Sequence, residues 1–88
     1  MKMDVQHRIR IPEWIRHLMK VEKSNLLYVS IHDGNIFSLS KECEGKAFAQ
    51  VKIDDKGRFY SPELMRNRLR GSELILYYEN KKVWVQAD

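Results

Sequence analysis

One short element occurs twice in this chain at a fixed spacing. Lys2, Asp4, Arg8, Pro12, Glu13 and Arg16 recur fifty residues later as Lys52, Asp54, Arg58, Pro62, Glu63 and Arg66. Six identities at one offset, within 88 residues, limit the possible folds more tightly than composition does. After the matched elements the offset falls to 47, because the second copy lacks the counterparts of Val21, Glu22 and Lys23. Leu27, Val29, Ile31, Ile36 and Phe37 then match Leu74, Leu76, Tyr78, Val83 and Trp84. The chain therefore reads as two copies of one unit, 1–40 and 50–88, joined by a linker over 41–49. Two copies are too few for a solenoid, so they are expected to close on each other as a single domain over 1–88.

Each unit reads as strand, turn, strand, short helix and hairpin. In the second copy Val51-Lys52-Ile53 alternates as a strand, Asp54-Asp55-Lys56-Gly57 has turn composition, and Arg58 to Ser61 is a second strand. Pro62 is expected to open a helix to Arg70, with Ser61 as its N-cap, Glu63 in its first turn, and Leu64, Met65 and Leu69 as its apolar side. In the first copy Met1 to Val5 reads as a weak strand, and Gln6-His7 replaces Lys56-Gly57 in the turn. Arg8 to Ile11 alternates, and a helix is expected over Pro12 to Lys20, with Ile11, Ile15 and Leu18 as its buried stripe and Trp14 in the core. Asp33-Gly34 and Asn80-Lys81 mark the two hairpin turns. The fold class expected is mainly β with two short helices: a small pseudo-two-fold closed barrel of two ββαββ repeats.

Charge bears on function. Net charge is +4, unevenly spread. Arg8, Arg10, Arg16 and Lys20 stand against Glu13 alone in residues 7–20; Lys56, Arg58, Arg66, Arg68 and Arg70 stand against Glu63 alone in residues 56–70. The remainder of the chain is net acidic. A basic element presented twice suits a polyanion with two-fold character of its own, and duplex DNA is the expected partner. The bland alternative is a pair of solvated basic faces, with Arg58 held by a carboxylate such as Asp54.

The pattern V-K-I-D-x-x-G-R-F-x-x-P-E-x-x-R over 51–66, followed by a hairpin, resembles the SpoVT/AbrB-like DNA-binding domain, also called the looped-hinge helix or swapped-hairpin family. The second copy carries Lys52, Asp54, Gly57, Arg58, Pro62, Glu63 and Arg66 of that pattern, and the first departs from it at His7. The resemblance implies a transcriptional regulator in which two units interleave their hairpins into one small β-barrel, here within one chain. RIFT and double-psi barrels are wider relatives with similar duplicated halves. It also implies DNA contacts through Arg8, Arg16, Arg58 and Arg66, with Lys2 and Lys52 at a basic position before the turn. Charge and position add Arg10, Lys20, Lys56, Arg68 and Arg70, and His17 beside them.

No enzymatic activity, metal or cofactor is expected. Gly71-Ser72 is similar to the self-cleaving pair of pyruvoyl decarboxylases, but it falls where the family has an ordinary turn. A nucleotide-binding RIFT-type enzyme would call for a phosphate-cradling glycine run, and none is present. His7, His17, His32 and Cys43 lack zinc-ligand spacing. The competing reading is an antitoxin-like or adaptor-like protein-interaction module, with a protein partner or self-association of barrels. No stretch is apolar over the ~18 residues a membrane span needs. With no apolar leader and a single cysteine, a cytoplasmic location is expected.

Overall fold

The computed structural model describes residues 1–43 and 45–88. Its elements are β1 (Arg8–Arg10), α1 (Glu13–Met19), β2 (Leu26–Ile31), β3 (Ile36–Ser40), β4 (Ala47–Lys52), β5 (Arg58–Tyr60), α2 (Glu63–Leu69), β6 (Leu74–Glu79) and β7 (Lys82–Ala87). The fold is mainly β with two short helices. Its strands form two antiparallel sheets, a ribbon of β1 and β5 and a five-stranded sheet in the order β4-β2-β3-β7-β6. One core joins them, built from Ile9 and Phe59 of the ribbon, the helix residues Ile15, Met19, Met65 and Leu69, and Leu27, Val29, Phe37, Leu39, Val83 and Val85 of the large sheet. Among the described residues no helix is long and apolar enough to cross a membrane.

Both helices follow a proline whose fixed φ, −54° at Pro12 and −59° at Pro62, turns the chain out of the strand. The prolines flank the helices rather than opening them, and Ser61 does not cap. Its buried hydroxyl instead donates to the His7 carbonyl at 2.8 Å, so a polar side chain is satisfied inside the core. The expected helix stripes are also corrected. Ile15 and Met19 are buried on α1, and their counterparts Met65 and Leu69 on α2, whereas Trp14 is 58% and Leu18 52% exposed. Spacings of three and four both suit one helix face, so seven residues alone do not choose between Leu18 and Met19. Arg68 stands at the position matching Leu18, which marks that position as outward.

The hairpins correct the alignment of the two copies. The β2–β3 register sets Phe37 opposite Ile31, and the β6–β7 register sets Val83 opposite Tyr78. If Ile31 matches Tyr78, then Phe37 matches Val83, not Trp84. The slip arises because five residues separate the paired Ile31 and Phe37 and only four separate Tyr78 and Val83, whose hairpin turns through Asn80 and Lys81. Both of the latter have left-handed φ, 54° and 63°, as a two-residue I′ hairpin needs. A one-residue slip exchanges the faces of a strand. Phe37 and Val83 therefore fill the core, while Trp84 lies on the other face beside His32 and Tyr77.

Met1 to Val5 forms no strand. Met1 exchanges backbone hydrogen bonds with Leu74, Met3 packs on the core, and Val5 is 95% exposed in a turn. The linker expected over 41–49 includes Glu44, which lies outside the described residues. Its last three positions, Ala47 to Ala49, belong to β4, which pairs with β2.

Candidate nucleic-acid interface

Alternation along a strand sends successive side chains to opposite faces. In the β1–β5 ribbon this buries Ile9 and Phe59, which are directly paired, and puts Arg8, Arg10, Arg58 and Tyr60 on the outward face. The register pairs Arg8 with Tyr60 and Arg10 with Arg58, so a local two-fold passes between Ile9 and Phe59.

Each ribbon strand is preceded by a turn built on an aspartate. Asp4 Oδ1 accepts the backbone N–H groups of Gln6 and Arg8, both at 2.9 Å, and Oδ2 accepts Arg8 Nε at 2.6 Å. Asp54 does the same for Lys56 and Arg58, at 2.9, 2.8 and 2.8 Å. Both carboxyls are held below the usual value of 3.8. For Asp4 the largest cause is the Arg8 backbone N–H, opposed by partial desolvation and reinforced by the Arg8 guanidinium. For Asp54 partial desolvation is the largest single influence and pushes upward, but the Arg58 and Lys56 N–H groups and the Arg58 guanidinium together outweigh it.

A carboxyl whose pKa is lower folded than unfolded stabilises the fold above the unfolded value and loses that contribution as pH falls through the folded one. The melting temperature is therefore expected to hold from neutral pH to about pH 5 and to fall below about pH 4. Asp54→Asn should cost about 1 kcal/mol at neutral pH, the ion pair being discounted for the third of the carboxylate left in solvent, and should flatten the acid slope. Thermal melts by circular dichroism across pH check this, and an unchanged acid slope in the variant would refute the role given to the clamp.

The four arginines that the family resemblance singles out all have structural partners. Arg8 and Arg58 are the clamped residues. Arg16 and Arg66 are half-buried, and each donates to the carbonyl five residues earlier, Arg16 Nε to Ile11 at 2.9 Å and Arg66 Nη2 to Ser61 at 3.1 Å. Arg16 also lies against the turn of the other copy: a Cβ added at Gly57 would meet its Nε at 2.3 Å. His7 stands at the sequence position matching Gly57 with a φ of 62°, and the Nε of Arg66 is buried without a hydrogen-bond partner among the described residues.

The remaining candidates divide by exposure. Lys2, Arg10, Lys20, Lys52, Lys56 and Arg70 are exposed, and their side chains have no hydrogen-bond or ion-pair partner among the described residues. Arg68 is exposed but donates to the Gly34 carbonyl at 2.7 Å, tying α2 to the β2–β3 turn. His17 is exposed beside Trp14 and Leu18. Arg10, Arg58 and Lys56 come together at one end of the ribbon, whereas Lys20 and Arg70 lie at the C-terminal caps of the helices.

Tyr60 was missing from the sequence-derived set. It is 61% exposed on the outward ribbon face, with the Arg8 guanidinium 5.9 Å from its ring centroid. The period of two in Arg58-Phe59-Tyr60 is the signal that locates it. The chain matches no family model, no curated protein and no solved structure.

Proposed function

We propose that this chain binds duplex DNA, with the outward face of the β1–β5 ribbon entering the major groove. The observation that carries this reading is the Arg10–Arg58 pair. Like charges directly opposite on a ribbon are unfavourable, yet Arg10 has no carboxylate partner among the described residues. A polyanion outside the fold would supply the missing counter-charge. The major groove admits a two-stranded ribbon, and guanidinium groups suit both phosphate oxygens and the guanine edge. Lys2, Lys52 and Lys56 flank the ribbon and fit contacts to the backbone, which position without specifying. Arg8, Arg16, Arg58 and Arg66 hold the turns and helices that present this face.

In this reading the molecule is a transcriptional regulator of the SpoVT/AbrB-like kind, cytoplasmic and not an enzyme, and its two sheets are parts of one closed pseudo-two-fold barrel. Support for closure comes from both edges of the large sheet. β4 runs through the Asp54 turn into β5, and Met1, bonded to Leu74 of β6, leads through the Asp4 turn into β1. Swapped-hairpin and RIFT-like barrels are the two forms that this connection suggests. A second reading, a protein-interaction module, is favoured by the exposed Trp14 and Leu18, which share one side of α1 with His17.

Fluorescence anisotropy with duplexes of ~30 base pairs at ~50 mM salt tests the DNA reading. Arg10→Ala is expected to weaken binding about tenfold, within the range for one base-edge contact, and to leave the melting temperature unchanged. Lys81→Ala, in the β6–β7 turn, should change neither. Absence of duplex binding at micromolar protein would remove this reading and leave the protein-interaction one.

A further inference from the structure

We propose that the ribbon reads a non-palindromic duplex site, with G·C pairs under its Arg10 end and A·T pairs under its Tyr60 end. This rests on the duplex-binding reading above and adds to it the composition and symmetry of the site.

The backbone of the ribbon is close to symmetric, but its outward chemistry is not. The strands are antiparallel, so each end consists of one Asp turn, the arginine that follows it, and the last residue of the opposite strand. At one end these are the Asp54 turn with Lys56, then Arg58, then Arg10. At the other they are the Asp4 turn with Val5 and Gln6, then Arg8, then Tyr60. The clamped pairs Asp4–Arg8 and Asp54–Arg58 match, and Lys2 matches Lys52, so these contribute no difference. Four outward or turn positions differ across the dyad: Arg10 faces outward where the other strand has Tyr60, and Asp55, Lys56 and Gly57 stand where the other turn has Val5, Gln6 and His7. Both positive members belong to one end. Asp55, exposed in the same turn, offsets one of them.

The Arg10 end therefore presents two exposed cationic side chains without partners among the described residues. Arginine and lysine pair with the O6 and N7 acceptors of guanine in the major groove. The Tyr60 end presents an amide, a phenol and an apolar side chain. Gln6 suits the N6 and N7 of adenine, and a valine 95% exposed to water suits the thymine methyl group. The Tyr60 hydroxyl lies 3.5 Å from Gln6 Oε1, which keeps these two groups at one place on the surface. A protein with two identical half-sites reads a palindrome. These two halves share a frame and differ in what they offer to the bases.

The test is selection by the full chain from a pool of duplexes randomised over about two helical turns, followed by sequencing of the bound fraction. The expected motif is asymmetric, with G·C pairs in one half and A·T pairs in the other. Replacing one A·T pair by G·C in the selected site should weaken binding on the order of tenfold. The double variant Gln6→Lys, Tyr60→Arg gives the second end both cations of the first and should select G·C pairs in both halves. Both positions are exposed, and circular dichroism checks the fold of the variant. A palindromic motif from the unaltered chain, or an unchanged asymmetric motif from the folded double variant, overturns this proposal and leaves duplex binding standing. Retention of no duplex overturns both.

Discussion

Phe59→Ala is expected to unfold most of the molecule or to lower its melting temperature by roughly 20 °C. Phe59 is 1% exposed and pairs with Ile9 at the centre of the ribbon. Truncating a buried phenylalanine costs about 3–5 kcal/mol, because the transfer free energy is lost and the cavity collapses only in part. A chain of this length has a total stability of roughly 5–10 kcal/mol, so the change removes a large part of it. The ribbon has only three residues per strand, and its hydrogen bonds alone cannot hold it on the core. Tyr60→Ala, one residue away on the opposite face, should change stability by less than about 0.5 kcal/mol. Thermal melts of the two variants measure the contrast. Equal melting temperatures would mean that Phe59 does not anchor the ribbon.

Affinity for duplex DNA is expected to fall about a thousandfold between ~50 and ~200 mM salt. Among the candidate contact residues, Lys2, Arg10, Lys20, Lys52, Lys56 and Arg70 are exposed cations whose side chains have no partner among the described residues. Neutralising about six phosphates releases their condensed counterions, which gives a slope near −5 in log affinity against log salt. The clamped arginines add little to this slope, because Asp4 and Asp54 already balance Arg8 and Arg58. Anisotropy titrations at several salt concentrations measure the slope. An affinity independent of salt would rule out backbone contacts as the source of binding.

The two predictions concern opposite faces of one ribbon, and the sequence bears on those faces unequally. Apolar alternation through Ile9, Ile11 and Phe59 was enough to locate the buried face, because burial follows from the period of two. The outward face was legible only in outline. Counting charge over residues 7–20 and 56–70 leaves out Asp4 and Asp54, just beyond those windows, and it is these two that bind Arg8 and Arg58. Arg16 and Arg66 read as surface cations, yet a guanidinium on a long apolar stem can lie along the protein and cap a carbonyl five residues back.

By itself the sequence did not determine the order of elements, since the strand expected at Met1 to Val5 does not form, but it determined the mainly β class, the two proline-led helices, the hairpin turns and the alternation of the strands. These follow from local rules: fixed φ at proline, turn residues where φ must be positive, and alternation on a pleated strand. Tertiary structure alone decided which helix residues face inward, so that Met19 is buried and Trp14 and Leu18 are not. It also decided the register that sends Phe37 to the core and Trp84 away from it. Finally, it decided which cations remain free for a partner. Each of these depends on groups distant in sequence meeting in space, as when Gly57 makes room for Arg16 or Tyr60 comes to lie opposite Arg8. No local pattern encodes such meetings, because they are set by how the two halves pack on each other.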